Sequence, residues 1–131
     1  MDKLLSGRRI LVVEDEMLVL MMAEDMLADL GCLSVSVAST VAKALALINA
    51  DAFDAAILDM NLTGEKSFPV ADALAIRRIP FAFATGYSGQ DMREGHRDRP
   101  LLKKPYRLQE LERVLRRILA ADVGANAVGS R

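Results

Sequence analysis

The stretch Asp54-Ala55-Ala56-Ile57-Leu58-Asp59-Met60-Asn61 decides how this chain folds. Its apolar run is too short for a helix and is bounded by acidic residues, the pattern of a strand buried on both faces of a sheet. It ends in a carboxylate, Asp59, with the polar Asn61 two positions on. In an open parallel sheet, chemistry gathers outside the carboxyl ends of the strands. A lone aspartate there need only start a turn or cap a helix. Asp59 gains a further meaning because three other strand ends supply partners for it.

Upstream, Arg8-Arg9-Ile10-Leu11-Val12-Val13 reads as a first buried strand, and it stops abruptly at Glu14-Asp15-Glu16. Three adjacent carboxylates repel one another unless water or a cation intervenes. They suit either a solvated helix start or a hard-cation site, since oxygen ligands of this kind fit Mg²⁺. No glycine-rich turn follows the strand, which excludes a phosphate-binding loop. The spacing then predicts a helix from Met17 to Leu30, stopped by Gly31. Val19, Met22, Ala23, Met26, Leu27 and Leu30 are expected to face the sheet. Met17 and Met21 point outward, as adaptable contact surface for a partner helix or as ordinary surface residues. Ser34 to Ala38 alternates and predicts a second strand at the sheet edge. Thr40 caps a helix to about Asn49 that turns Val41, Ala44, Leu45 and Ile48 inward.

Downstream, Asn61 to Pro69 reads as a polar loop beside Asp59, followed by a helix from about Val70 to Arg78 held by Val70, Ala71 and Leu74. Pro80 to Ala84 is the fourth strand and ends in Thr85-Gly86-Tyr87. Between Ser88 and Arg99 the pattern fails: Met92 is the one large apolar side chain among glycines and ionisable groups. A short, poorly anchored helix or a mobile loop is expected there, with His96 at the surface. Leu101-Leu102 is a short fifth strand ending in Lys103-Lys104-Pro105. Proline keeps the residue before it extended, which projects Lys104 off the strand end towards the acidic rim. The last helix, Arg107 to about Ala121, carries Leu108, Leu111, Val114, Leu115, Ile118 and Leu119 at helical spacing. Residues 122–131 turn to Gly, Ala, Asn and Ser and read as a flexible tail.

Composition sets the outer limits. At 131 residues the chain fits one domain that buries roughly two-thirds of its unfolded surface. Its 17 basic and 18 acidic residues leave a net charge of −1, which argues against a general grip on nucleic acid. No apolar run approaches a bilayer span, and no signal-peptide pattern opens the chain, so no membrane partner is expected. A single cysteine, Cys32, excludes an internal disulfide and fits packing in a reducing, cytoplasmic setting.

Five strands alternating with five helices predict an α/β fold, a doubly wound five-stranded parallel sheet of flavodoxin-like type with a short or mobile fourth helix. Its rim carries Glu14 and Asp15, Asp59, Thr85 and Lys104. Two carboxylates and a backbone carbonyl near Asn61 can hold Mg²⁺, with water completing an octahedron. Asp59 can serve as an oxygen nucleophile and form an acyl phosphate. Lys104 and Thr85 can bind phosphoryl oxygens, one by charge and one by hydrogen bond.

With these residues in this order, the chain resembles the CheY-like receiver domain of bacterial response regulators over about residues 7–121. Phe83-Ala84-Thr85-Gly86-Tyr87 further resembles the signature of stand-alone receivers of the FAT GUY class, which have no output domain. The resemblance implies that Asp59 is the phosphoacceptor, supplied by a sensor histidine kinase, and that Asp15, Asp59 and the Asn61 carbonyl coordinate Mg²⁺ with Glu14 at one remove. It implies relay of phosphate to a phosphotransfer protein, drainage from a shared kinase, or binding of a downstream target. It implies no turnover beyond slow self-phosphorylation and dephosphorylation. Two positions depart from the family. Leu101 stands where an aromatic switch residue is usual, and the chain reads Met60-Asn61-Leu62-Thr63-Gly64 where a Met-Pro pair is usual soon after the phosphoacceptor. Without a ring to rotate, ordering of residues 86–99 around a phosphorylated site is the expected switch. Asp59-Met60-Asn61-Leu62-Thr63 also resembles the nucleophile loop of haloacid dehalogenase-type phosphatases, which want an aspartate where Asn61 stands. A flavin-binding module would need hydroxyls and backbone donors where Glu14 and Asp15 stand.

Overall fold

The computed structural model describes residues 3–86 and 95–129, with side chains as far as Ala120. Three continuous apolar runs form the centre of one parallel sheet: β1 (Arg9–Val13), β3 (Ala55–Asp59) and β6 (Phe81–Thr85). The alternating β2 (Ser34–Ala38) and the short β7 (Leu101–Lys103) lie at its two edges, in the order β2-β1-β3-β6-β7. Parallel strands buried on both faces read as continuous apolar runs, and all five residues of β3 and of β6 are buried, with Asp59 and Thr85 the polar ones at their carboxyl ends.

Successive side chains leave a strand on opposite faces, so the sheet feeds two cores. Ile10, Val12, Ala55, Ile57, Ala82, Ala84 and Leu102 pack with α1 (Met17–Asp29) and α4 (Leu108–Gly129). Leu11, Val13, Ala56, Leu58, Phe81 and Phe83 pack with α2 (Val41–Ala50) and α3 (Phe68–Ile76). Thr40 caps α2 as its sequence predicts, accepting a hydrogen bond from the Lys43 amide at 3.1 Å. Gly31 closes α1 at φ +89°, and a Cβ there would lie 2.7 Å from the Cβ of Lys3. Only glycine satisfies both the left-handed turn and that close approach.

Five features differ from the expectations. The buried stripe of α1 is Leu20, Ala23 and Leu27, continued by Leu30; Leu20 was not expected there, and Met22 is exposed. The helix is apolar almost all round its first two turns, so periodicity alone cannot fix its rotation. The polar loop after β3 contains a small antiparallel hairpin, β4 (Asn61–Leu62) with β5 (Glu65–Lys66). Gly64 supplies the positive φ (+74°) that its turn requires. Residues ahead of Gly7 pack into the fold: Leu5 is fully buried and its amide donates to the Leu30 carbonyl at 2.9 Å. The last helix continues past Ala121 to Gly129, since extending a nucleated helix adds a hydrogen bond for each residue fixed.

His96 is the fifth difference, and it is buried. Its ring lies edge-on to Phe81 and Phe83, with centroids 5.7 and 6.1 Å away. Its Nε2 is 2.9 Å from Asp72 Oδ1 on α3. The two phenylalanines on one face of β6 need cover, and a histidine can supply it because its polar atom finds a partner. The guanidinium of Arg99 lies 4.4 Å over the Phe81 ring. Four helices are present among the described residues. The short helix or loop expected over Ser88 to Arg99 lies outside them for residues 88–94; Gly95 to Arg99 form turns.

Candidate functional site

The carboxyl ends of β1, β3, β6 and β7 meet because the register aligns them. Val13 pairs with Leu58, Asp59 with Ala84, and Thr85 with Lys103. Residues one or two positions past each strand therefore share a rim. The backbone locks the far side, where the Lys104 amide donates to the Thr85 carbonyl at 2.7 Å. Thr85 is buried at the end of β6, and the Lys104–Pro105 peptide is cis.

Lys104 sits at the centre. Its Nζ donates to Asp59 Oδ2 at 3.0 Å, to Glu14 Oε1 at 3.2 Å and to Glu16 Oε1 at 2.7 Å. Burial alone would depress the lysine, but its hydrogen bonds to Glu16 and Asp59, with the charges of Asp59 and Glu14, outweigh it and hold the ammonium above its usual range. Glu14 and Asp59 are themselves buried. Burial is the main cause that pushes the Glu14 carboxyl up to about 7, helped by the neighbouring Asp59 and opposed by the Glu16 amide and Lys104. Tyr106, two residues past the lysine, is buried beneath the site, and burial with the Glu14 charge raises its phenol to about 12.

Asp15 behaves differently because it is only half-buried. Burial would raise it, yet the hydroxyl and amide of Thr63 hold its carboxyl below the usual range. Both donate to Asp15 Oδ2, the amide at 2.7 Å. Asn61 accepts from Lys66 Nζ through Oδ1 at 2.6 Å, and its backbone amide donates to Asp59 Oδ1 at 3.2 Å. A cleft of about 440 Å³ opens among these groups, lined by Asp15, Glu16, Asp59, Asn61, Thr63 and Lys104, with Leu62, Gly64 and Gly86.

All six predicted site residues lie at this rim. Glu14, Asp15 and Asp59 cluster, Lys104 bonds Glu14 and Asp59, Asn61 lines the cleft, and Thr85 ends the neighbouring strand. Sequence reasoning missed the roles of Glu16, Thr63 and Lys66. Glu16 was visible as the third member of the acidic run. Thr63 was signalled only by the glycine after it, which marks a turn and hence a hairpin.

Ligand oxygens of Glu14, Asp15 and Asp59 lie within 4.8 Å of one another. Three hard oxygen donors so placed fit a small divalent cation such as Mg²⁺, and the donor set offers no sulfur or imidazole. Beside the cleft, Val19, Met22, Met26, Pro105 and Tyr106 line a small apolar groove between α1 and the segment after β7. Among the described residues no helix is long and apolar enough to cross a membrane.

The family model of the response regulator receiver domain matches residues 10–116. No curated protein matches the chain. Among solved structures, the chain is similar to SdrG from Pseudomonas melonis Fr1 in its BeF3-activated conformation, with 49% identity and a TM-score of 0.75, covering 85% of this chain and 95% of that one. It is similar to a response regulator receiver protein from Sinorhizobium medicae WSM419 at 27% identity and a TM-score of 0.77, over 88% and 96% of the two chains. The receiver domain of the sensor histidine kinase PA1611 from Pseudomonas aeruginosa PAO1, solved with a magnesium ion in its active-site cleft, is 25% identical with a TM-score of 0.74, over 88% of this chain and 99% of that one.

Proposed function

This chain belongs to the response regulator receiver domain family, and from that we propose that Asp59 accepts a phosphoryl group from a histidine kinase in two-component signalling. The observation that carries this reading is the Lys104 ammonium lying 3.0 Å from Asp59 Oδ2 within a cage of carboxylates. A buried nucleophilic carboxylate with a permanent cation at hydrogen-bond distance suits the capture of an anionic group.

An oxygen of Asp59 attacks the phosphorus of a phosphohistidine. An O–P bond forms while the N–P bond breaks, and the imidazole nitrogen keeps the electron pair. Lys104 turns its donors from Glu14 and Glu16 to the arriving oxygens, and Thr85 donates its hydroxyl to another. Asp15, Asp59 and the Asn61 carbonyl are the ligands of Mg²⁺ in this reading, with Glu14 beside them. When bound, Mg²⁺ supplies charge that offsets the carboxylates and the phosphoryl group. The donor set found here and the magnesium in the cleft of the PA1611 receiver domain support that choice.

The kinase meets the face beside the cleft. Met17 and Leu18 are exposed on α1, and the groove formed with Pro105 and Tyr106 adjoins them. A histidine-bearing helix pressed there brings its phosphoryl group to the cleft mouth. The protein is cytoplasmic in this reading, and the acyl phosphate serves as a signal, a relay intermediate or a sink for a shared kinase.

Phosphotransfer from radiolabelled kinases of the source organism tests this. Label should pass rapidly from at least one kinase to the wild type and not to Asp59→Asn, while p-nitrophenyl phosphate is not turned over. Failure of every kinase to label the protein, or sustained turnover of that ester, would overturn the proposal.

A further inference from the structure

We infer that Thr63 is a positioning residue for the cation site, holding Asp15 in place from the tip of the β4–β5 hairpin. This rests on the reading of Asp15 as a metal ligand. Two donors of one residue, the hydroxyl and the amide, meet a single oxygen of Asp15, which lies 48 positions away in the chain. The other carboxylate oxygen is left clear of Thr63 for a cation.

The need for such a hold follows from charge. Asp15 has a ligand oxygen within 4.8 Å of those of both Glu14 and Asp59. The Lys104 ammonium donates to Glu14, Glu16 and Asp59, whereas Asp15 is held by the two donors of Thr63. Half-buried at the mouth, the Asp15 side chain can relieve repulsion by swinging towards water, and that swing would take a ligand out of the site. Thr63 opposes it.

The hairpin is itself braced. Ser67 donates to the Met60 carbonyl through both its amide and its hydroxyl, each at 3.1 Å, and Lys66 bonds Asn61 across the strands. Thr63 therefore projects from a fixed base, two positions on from Asn61, whose carbonyl is a ligand in the proposed site. Outer partners of metal-bound carboxylates typically govern affinity by 10–100-fold. One of the two donors here is backbone and survives any substitution, so the lower end of that range applies.

Calorimetric titration of Mg²⁺ into the metal-free protein tests the inference. Thr63→Val and Thr63→Ala should each raise the dissociation constant about tenfold, while Thr63→Ser binds like the wild type. The thermal midpoints without metal should agree among all four proteins. With acetyl phosphate as donor, Thr63→Val should need more Mg²⁺ but reach the wild-type labelling rate at saturation. Wild-type affinity in both Thr63→Val and Thr63→Ala would overturn the role of Thr63 and leave the metal reading intact. A wild type that binds no Mg²⁺ would overturn both.

Discussion

Glu14 carries a pH signature that stability measurements can read. Its carboxyl is pushed from 4.5 to about 7, chiefly by burial. Between those values the folded protein keeps a proton that the unfolded chain has released, so this contribution to stability is full below about 4.5 and is lost as pH rises through about 7. The urea midpoint of the metal-free protein should therefore fall between about pH 5 and about pH 8, and Glu14→Gln should flatten that fall. An unchanged slope in Glu14→Gln would contradict the assignment. His96 gives a second test at this scale. Filling the space against Phe81 and Phe83 and pairing with Asp72, it should cost about 2 kcal/mol when replaced by alanine. A histidine at the surface would change stability by no more than about 0.5 kcal/mol. Its burial was hidden in the sequence because its neighbours are charged, and the two rings it covers lie more than ten positions upstream. Lys104 was legible because proline follows it and an acidic strand end faces it.

Individual elements show where pattern suffices and where it does not. The helix cap at Thr40 could be read from its residue type and the apolar spacing after it. Thr40→Ala should lower stability by about 1 kcal/mol in urea denaturation without altering Mg²⁺ binding. A loss of metal affinity in that variant would mean that α2 supports the site in a way its packing does not suggest. In contrast, α1 has apolar side chains at nearly every position of its first two turns, so its rotation was set by the sheet and not by its own sequence. The hairpin after β3 escaped notice for a different reason. Its strands are two residues each, too short for alternation to register, and its turn glycine is the sole signal. That short element nonetheless presents both Asn61 and Thr63 to the cleft.

At the scale of the molecule, the sheet was the most legible feature, since β1, β3 and β6 each carry an unbroken run of four apolar residues and strands of that kind are buried in parallel sheets. The site followed from it: a parallel sheet places the carboxyl ends of its central strands along one rim, and each of those ends carries a polar or charged residue. The segment Lys3 to Ser6 was not legible as part of the domain, because an apolar pair ahead of a glycine predicts nothing until α1 and Cys32 are in place to receive it. The partner surface proposed beside the cleft rests on methionines, which a sequence can suggest but only the fold can set next to Tyr106. What joins these scales is the proposed capture of a phosphoryl group by one aspartate among four strand ends. Intact-mass spectrometry after incubation with acetyl phosphate and Mg²⁺ measures it directly. The wild type should gain a single phosphoryl group that Mg²⁺ removal prevents, and Asp59→Asn should gain none. An unmodified wild type, or equal modification of Asp59→Asn, would contradict it.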